Sequence, residues 1–312
     1  MPWKQDYTIS DEIAIADADV RWPDGNRCCF NIVVDLNPAA KADGITAKDL
    51  AYPVTHYGMN EGLDLMLALF ARLGLRATFA VPGALAAIMP ERLGAVAAAG
   101  HEIAANGLLG EDPLTLDPGA ERERMRQAAD LIAGATGARP AGWYALPRQG
   151  DAFATGNVST ATIDLLIDEG YAYFGTGHAD DAPHYWVSDF ATRRCLLALP
   201  YYYHFDDRFF LMFPAEGTGL ERPQALLRNW QAELRAQYRR GRYFSLTVSP
   251  ARSGWGHRLA NLDRFLTDAT ALPGLWNATG AEVAAHWSAH YPAATHLRLE
   301  PSIWQSHEGS LD

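Results

Sequence analysis

The sequence predicts an α/β protein built as a single distorted (β/α) barrel of seven or eight mainly parallel strands. Short runs rich in β-branched and aromatic residues alternate with longer segments of helical apolar periodicity along the chain. No internal repeat, low-complexity tract or Gly/Ser linker divides the 312 residues. Regular alternation over this length favours a parallel barrel, whose functional side chains lie at the carboxyl ends of the strands.

Eight segments are predicted strands because they are short, apolar, and rich in β-branched or aromatic residues. They are CCFNIVVD (28–35), RATFAV (76–81), HEIAA (101–105), AGWYAL (141–146), YAYFGTG (171–177), CLLALPY (195–201), YFSLTVS (243–249) and LWNAT (275–279).

The longer segments between these strands are predicted helices. GLDLMLALFARLG and TIDLLIDEG each place apolar residues on one helical face and end at glycine, a common residue after a helix. The other predicted helices are AERERMRQAADLIAGATG, PQALLRNWQAELRAQYRRG, RLANLDRFLTDA and GAEVAAHWSAH.

Composition excludes several classes of protein. A net charge of −11 without a local Lys/Arg cluster argues against a nucleic-acid partner. The acidic N-terminus does not resemble a signal peptide, and no run of about 18 apolar residues predicts a membrane span. Three cysteines, two of them adjacent, do not suggest a disulfide framework. We therefore expect a cytoplasmic protein with neither a nucleic-acid nor a membrane partner.

Ten motifs, in order, resemble those of the polysaccharide deacetylase (NodB-type) superfamily, from about Trp22 to Trp287. They are WPDG, NIVVDLN, YGMNEG, ATFAVPG, GHEIAANG, RPAGWYALPR, DEGYAYFGTG, DDAPHYW, LPYYYHFDD and LWNATGAEVAAHW. The closest resemblance is to the intracellular branch of metal-independent allantoinases, cyclic-imide hydrolases and a peptidoglycan-deacetylase-like group. This resemblance implies a NodB-type barrel over 22–290, an N-terminal extension (1–21), a C-terminal tail (291–312), hydrolysis of an amide-type C–N bond, and a homo-oligomer.

The resemblance also shows where this chain departs from the family. The Asp-x-Asp motif, which supplies a general base and a metal ligand, becomes Asp35-Leu36-Asn37, and the two histidine ligands fall on Asn106 and Gly110. Neutral amides and glycine bring neither charge nor imidazole to a cation, so we expect no metal and no other cofactor. His101, which precedes the ligands, is expected to be a buried structural histidine.

Two further family positions are changed near the carboxyl ends of the predicted strands, which would form the mouth of the barrel. Ser249-Pro250 stands in place of the catalytic His-Pro, although Arg258 retains the arginine of the same loop. Tyr144 replaces an arginine, and Arg148 follows after a small offset.

Metal-free hydrolysis needs a base for water, donors for the oxyanion and an acid for the leaving nitrogen. Asp35 is the predicted base, because burial at a strand end would raise its pKa, although a loop-capping carboxylate is the alternative. Asn37 and Asn106 are candidate donors to a substrate carbonyl. His204 is the first candidate acid and His257 the second, and a solvent-exposed loop histidine is as good an interpretation of His204.

The remaining candidates would bind substrate. An aromatic-walled pocket for a small planar ring would be given by Trp143, Tyr144, Trp186 and Trp255, although core packing explains each equally well. The polar members of this group are Arg148, Asp206, Asp207, Ser249 and Arg258, of which Asp206 and Asp207 could instead hold their loop.

Three functions are consistent with these features. The first is a metal-independent hydrolase acting on carbon–nitrogen bonds other than peptide bonds, opening a small cyclic amide, imide or ureide. The second is a catalytically lapsed NodB-type barrel that acts as a binding or scaffold protein. The third is a polysaccharide deacetylase, which would normally need the metal.

Overall fold

A computed structural model describes residues 15–39, 41–148, 156–177, 180–189, 192–201, 206–207 and 223–297. Within these residues one sheet of nine strands is surrounded by helices. The strands are β1 (Cys28–Asp35), β2 (Thr78–Val81), β3 (Glu102–Ala105), β4 (Gly142–Tyr144), β5 (Tyr173–Gly177), β6 (His184–Asp189), β7 (Arg194–Tyr201), β8 (Tyr243–Val248) and β9 (Leu275–Ala278).

The sheet is almost entirely parallel and curls into a distorted barrel. Its hydrogen-bonded order is β6-β7-β5-β4-β3-β2-β1-β8, and β9 pairs with the first half of β1. Among the described strands, β6 alone runs antiparallel, against β7. β7 and β8 pack beside each other near the two ends of this order, although no sheet ladder joins their described residues. The predicted mainly parallel α/β fold is confirmed.

The helices cover the outside of the sheet. Their bounds are α1 (Ala47–Leu50), α2 (Pro53–Tyr57), a π-helical turn (Gly58–Gly62), α3 (Leu63–Leu73), α4 (Gly83–Ile88), α5 (Pro90–Ala98), α6 (Pro118–Thr136), α7 (Thr162–Asp168), α8 (Pro223–Arg240), α9 (Pro250–Ser253), α10 (Gly256–Thr270), α11 (Gly280–His290) and α12 (Ala293–His296). No helix in the described part of the chain is both long and apolar enough to cross a bilayer.

Two-residue alternation along the strands separates the barrel interior from the helix-facing side. In β8, Phe244, Leu246 and Val248 belong to the cluster that packs against the helices, whereas Tyr243 belongs to the interior cluster. By the same alternation, Ser249 lies on the interior face at the end of β8. Asp35 lies on the interior face of β1, two residues after Val33.

A polar network fills the amino-terminal end of the barrel. The carboxylate of Glu102 accepts hydrogen bonds from the Tyr173 hydroxyl at 2.8 Å, the Thr78 hydroxyl at 2.9 Å and the backbone N–H of Ala281 at 2.9 Å. Ala281 lies in the first turn of α11, where an acceptor satisfies a backbone donor without a helical partner. Burial raises the pKa of Glu102 despite these donors. This end of the barrel is therefore structural.

His101 precedes β3 and is buried, as expected for a structural histidine. Its Nδ1 accepts a hydrogen bond from the Ala77 N–H at 3.1 Å, and its ring packs edge-on against Phe70 and Phe79. Burial, followed by the charge of Arg76, lowers the pKa of this imidazole.

Ion pairs tie the first described residues to the start of β8. The buried guanidinium of Arg242 contacts Asp17 and lies 2.6 Å from Asp181. Burial opposes ionisation of Asp181, but the Gln237 hydrogen bond and the charges of Arg242 and Arg240 lower its pKa overall.

Candidate active site

The carboxyl ends of β1 and β8 place Asp35 and Ser249 side by side. The parallel register pairs Val34 with Val248, so the residue after each lies at the same level of the barrel. Asp35 is 3% exposed, and its Oδ1 accepts a hydrogen bond from the Asn37 N–H at 2.8 Å. The Ser249 hydroxyl is buried and has no hydrogen-bond partner in the described part of the chain. This mouth therefore joins an oriented carboxylate to a hydroxyl that can still hydrogen-bond.

Asn37, Asn106 and Gly110 form a second feature of the mouth, the amide interlock. Asn37 Nδ2 donates to Asn106 Oδ1 at 3.2 Å and to the Gly110 carbonyl at 3.3 Å. Asn37 Oδ1 accepts from the Ala39 N–H at 3.0 Å, and Asn106 Nδ2 donates to the Tyr144 carbonyl at 2.7 Å. Both N–H groups of Asn37 are thus engaged, whereas Asn106 retains one further N–H.

Gly110 fits the interlock because it has no side chain. Its φ of +67° lies in the left-handed region, and a Cβ built there would lie 2.1 Å from Asn37 Nδ2. The asparagine amide therefore occupies the space that a side chain at position 110 would need.

The superfamily's metal site does not fit these residues. The amide oxygens of Asn37 and Asn106 are directed at neighbouring N–H groups, and position 110 contributes no side-chain donor. Among the described residues, no group of three or more His, Cys, Asp or Glu side chains is arranged to hold a metal ion. The chemistry of the mouth must accordingly be derived from its own side chains.

Asp207 fixes the loop that follows β8. Its Oδ2 accepts hydrogen bonds from the Ser249 N–H at 2.8 Å and from the Ser253 hydroxyl at 2.6 Å. Asp206 and Asp207 are each 1% exposed. Two donors from this loop converge on one carboxylate oxygen of Asp207. These contacts are the ones expected if Asp207 holds its loop, which was the alternative to a role in substrate binding.

Arg148 is a buried cation behind the interlock. Its guanidinium donates to the carbonyls of Gly110 at 3.0 Å, Leu146 at 3.2 Å and Glu111 at 2.5 Å. Burial lowers its pKa, and the nearest acidic charges, Asp112 first among them, oppose that effect. The side chain holds the loop that carries Gly110 against the end of β4.

The predicted aromatic pocket is divided among three places. Trp143 lies opposite Ala105 in the sheet and packs on the helix-facing side, because adjacent residues of β4 point to opposite faces. It therefore does not line the barrel interior. Tyr144 faces the interior and is buried there. Trp255 is 37% exposed and directly precedes α10.

Trp255, His257 and Arg258 line a cavity of about 440 Å³ beside the loop after β8. His204 lies outside the described residues, so its role as acid stays a prediction. Sequence reasoning overlooked Tyr57, whose ring stacks on Trp255 with centroids 3.9 Å apart. Its position in the YGMNEG motif, beside two glycines, was the available signal.

The comparisons with known proteins agree with this architecture. No protein-family model matches the chain. A solved structure described as a "putative polysaccharide deacetylase" from Mycobacterium smegmatis is 28% identical, covers 95% of this chain and 99% of its own, and superimposes with a TM-score of 0.78. Puue allantoinase, at 22% identity, a TM-score of 0.73, and coverage of 90% of this chain and 95% of its own, shares the fold.

A curated relative, the peptidoglycan deacetylase of Helicobacter pylori, is 29% identical over 125 residues. That alignment spans 40% of this chain and 40% of the relative's length. The similar structures, this relative and the ordered motifs identify the chain as a member of the NodB-type polysaccharide deacetylase superfamily.

Proposed function

We propose that the protein hydrolyses a C–N bond of a small cyclic amide, imide or ureide, opening the ring, and that it does so without a metal ion. One observation carries this proposal: the buried base position, Asp35, is retained, while the three metal-ligand positions form the amide interlock. The names of the similar proteins, deacetylases and an allantoinase, support hydrolysis of a C–N bond.

The proposed reaction begins with Asp35 accepting a proton from water. The Asn37 N–H fixes the orientation of the carboxylate, so its proton-accepting oxygens are held in place before substrate binds. The resulting hydroxide attacks a ring carbonyl. The remaining N–H of Asn106 and the hydroxyl of Ser249 are the donors available for the oxyanion that forms.

Collapse of the tetrahedral intermediate breaks the C–N bond, and the nitrogen needs a proton. Protonated Asp35 can return the proton that it took from water. An imide or ureide nitrogen is stabilised by its second carbonyl, so a carboxylic acid suffices where a simple amide would need a stronger acid. Because Asp35 is a weak acid, small cyclic imides and ureides are better candidate substrates than acetylated sugars.

Asp35→Asn tests the base assignment. It keeps the shape of the side chain and removes proton acceptance, so the hydrolysis rate should fall on the order of 10²- to 10⁴-fold while the fold survives. Hydantoins, succinimides, dihydropyrimidines and allantoin are the substrates to screen. Asp164→Asn, the same change at a surface carboxylate paired with Arg194, is the matched control and should retain the wild-type rate. An Asp35→Asn variant with undiminished activity contradicts the assignment.

Removal of metal tests the other half of the proposal. Chelation should change neither rate nor thermal stability, whereas a metal-dependent hydrolase would lose both. Stoichiometric zinc in the purified protein, lost together with activity on chelation, contradicts metal independence.

A lapsed barrel with a binding role is the second candidate. It is favoured by the same contacts, because Asp35 Oδ1 and Asn37 Oδ1 each accept a hydrogen bond from the backbone N–H two residues further on, as in an ordinary loop. Binding of ring compounds without turnover would support it. A polysaccharide deacetylase is the third candidate, supported by the names of two similar proteins. Chelator-sensitive release of acetate from an acetylated oligosaccharide would establish it.

A further inference from the structure

The loop after β8 carries a platform built from two stacked rings. Tyr57 and Trp255 lie nearly parallel, with an interplanar angle of 16°, and the Tyr57 hydroxyl donates to the Gly254 carbonyl at 3.0 Å. Trp255 Nε1 donates to the Ala251 carbonyl at 2.9 Å. Each ring is thus anchored by its polar atom, which leaves the aromatic faces to make contacts.

Close backbone packing holds this platform rigid. A Cβ at Gly58 would lie 2.6 Å from the Cα of Ala251, and a Cβ at Gly62 would lie 2.5 Å from the Pro250 carbonyl oxygen. Both glycines belong to the π-helical turn, a feature that often occurs at functional sites. The platform and the loop after β8 therefore form one unit.

A cavity of about 440 Å³ opens beside the platform, and the ionisable groups that the described residues contribute to its wall are all basic. It is lined by Val54, Arg252, Trp255, Gly256, His257 and Arg258. No carboxylate among the described residues forms an ion pair with Arg258, whose guanidinium makes one long contact, 3.4 Å, to the Arg252 carbonyl. On a protein of net charge −11, such a site is a local concentration of positive charge.

These features fit a planar ring that bears a carboxylate. The ring would lie against the exposed face of Trp255, and the carboxylate would accept paired hydrogen bonds from the guanidinium of Arg258. The volume lies in the range of small-molecule sites. The cavity adjoins the loop that starts at Ser249, beside Asp35 in the barrel mouth.

We infer that this cavity recognises a carboxylate on the ring of the substrate, with Trp255 as the platform and Arg258 as the anion-binding residue. The inference rests on the proposed function for the identity of that ring as a cyclic amide or ureide. It narrows the substrate class to rings with an acidic substituent.

Dihydroorotate and dihydrouracil provide a matched pair of probes, because they share one ring and differ by a carboxylate. Their dissociation constants would be measured by calorimetry on the full chain in the Asp35→Asn background, where the expected loss of rate slows turnover. The acidic ring should bind tighter by on the order of tenfold to 100-fold. Arg258→Gln should abolish this preference, Arg258→Lys should retain part of it, and Trp255→Leu should weaken both probes alike.

Arg139→Gln is the control, since it removes one exposed positive charge that is paired with Asp130 far from the cavity in sequence. It should leave the preference unchanged. Equal affinity for the two probes, or a preference that survives Arg258→Gln, overturns the inference. If Arg258→Gln does not fold, the inference is tested by the preference of the wild-type protein for the acidic ring and by the reduced preference expected of Arg258→Lys.

The two proposals can fail separately. Hydrolysis of the neutral ring that depends on Asp35, without any preference for the acidic ring, would leave the proposed function and overturn this inference. Preferential binding of the acidic ring with no hydrolysis of any ring in the screen would support the binding site and contradict the proposed function.

Discussion

Substitution of Gly110 by alanine should destabilise the protein through Asn37. The new Cβ would lie 2.1 Å from Asn37 Nδ2, so the amide must move and lose its bonds to Asn106 and to the Gly110 carbonyl. Loss of these two bonds costs about 1–3 kcal/mol, and the positive φ at position 110 costs about 1–2 kcal/mol more. We expect the free energy of unfolding to fall by about 2–5 kcal/mol.

A double-mutant cycle separates the two contributions. In an Asn37→Ala background no amide remains to be displaced, so Gly110→Ala should cost only the backbone term of about 1–2 kcal/mol. The coupling free energy between the two positions should therefore be about 1–3 kcal/mol. Gly137→Ala is the matched control, because Gly137 has a φ of +82° and nothing within 4 Å of its Cβ position.

Urea unfolding followed by circular dichroism at neutral pH measures all four free energies, provided that the slopes with denaturant agree. If Gly110→Ala costs the same with and without Asn37, the two side-chain positions do not compete for space. The amide interlock would then be refuted as the reason for glycine at position 110.

Three further predictions concern the rest of the molecule. The lowered pKa of His101 means that its contribution to stability is complete above the ordinary value of 6.5 and is lost as the pH falls from there towards the folded value. His101→Gln should remove that slope from the pH dependence of Tm, and an unchanged slope would contradict it. Asp181 has a lowered pKa, so its ion pair with Arg242 stabilises the fold above the ordinary value of 3.8 and is lost as the pH falls through the folded value. Asp181→Asn should cost about 1 kcal/mol at pH 7, since partial exposure screens the pair, and should cost nothing in strong acid; urea unfolding at both pH values decides. The predicted homo-oligomer should give a mass above one chain in light scattering at micromolar concentration. Its candidate interface is the apolar segment LRLEPSIW (297–304), of which the structure describes only Leu297.

The fold was predictable because its main signals are local. Seven of the eight predicted strands contain an observed one, and the eighth, 195–201, covers all of β7 except Arg194. α3 ends directly before Gly74 and α7 ends two residues before Gly170, and both glycines have positive φ. The ninth strand, β6, was missed. It pairs antiparallel with β7, and the expected alternation of strand and helix leaves no place for two consecutive strands without a helix between them.

The candidate site was predictable only in part, because side-chain direction depends on register. Asp35 and Ser249 follow from the strand ends alone, and the sheet register places them at one level. Trp143 also belongs to a strand, but neighbouring residues of a strand point to opposite sides of the sheet. The sequence of a three-residue strand does not reveal which of its residues face the barrel interior and which face the helices. The stacking of Tyr57 on Trp255 joins positions 198 residues apart and could be read only from coordinates.

The changes at Asn37, Asn106 and Gly110 are physically dependent on one another. An aspartate at position 37 would set a carboxylate oxygen against the Gly110 carbonyl and Asn106 Oδ1, which accept hydrogen bonds and would repel it. A histidine at position 110 would collide with Asn37. A histidine at position 106 would remove the oxygen that Asn37 contacts and the N–H that reaches Tyr144. A metal ligand restored at any one of these positions alone therefore leaves unsatisfied hydrogen-bonding groups or overlapping atoms at the others. A metal-binding mouth would be reached from this sequence only by changing all three positions together.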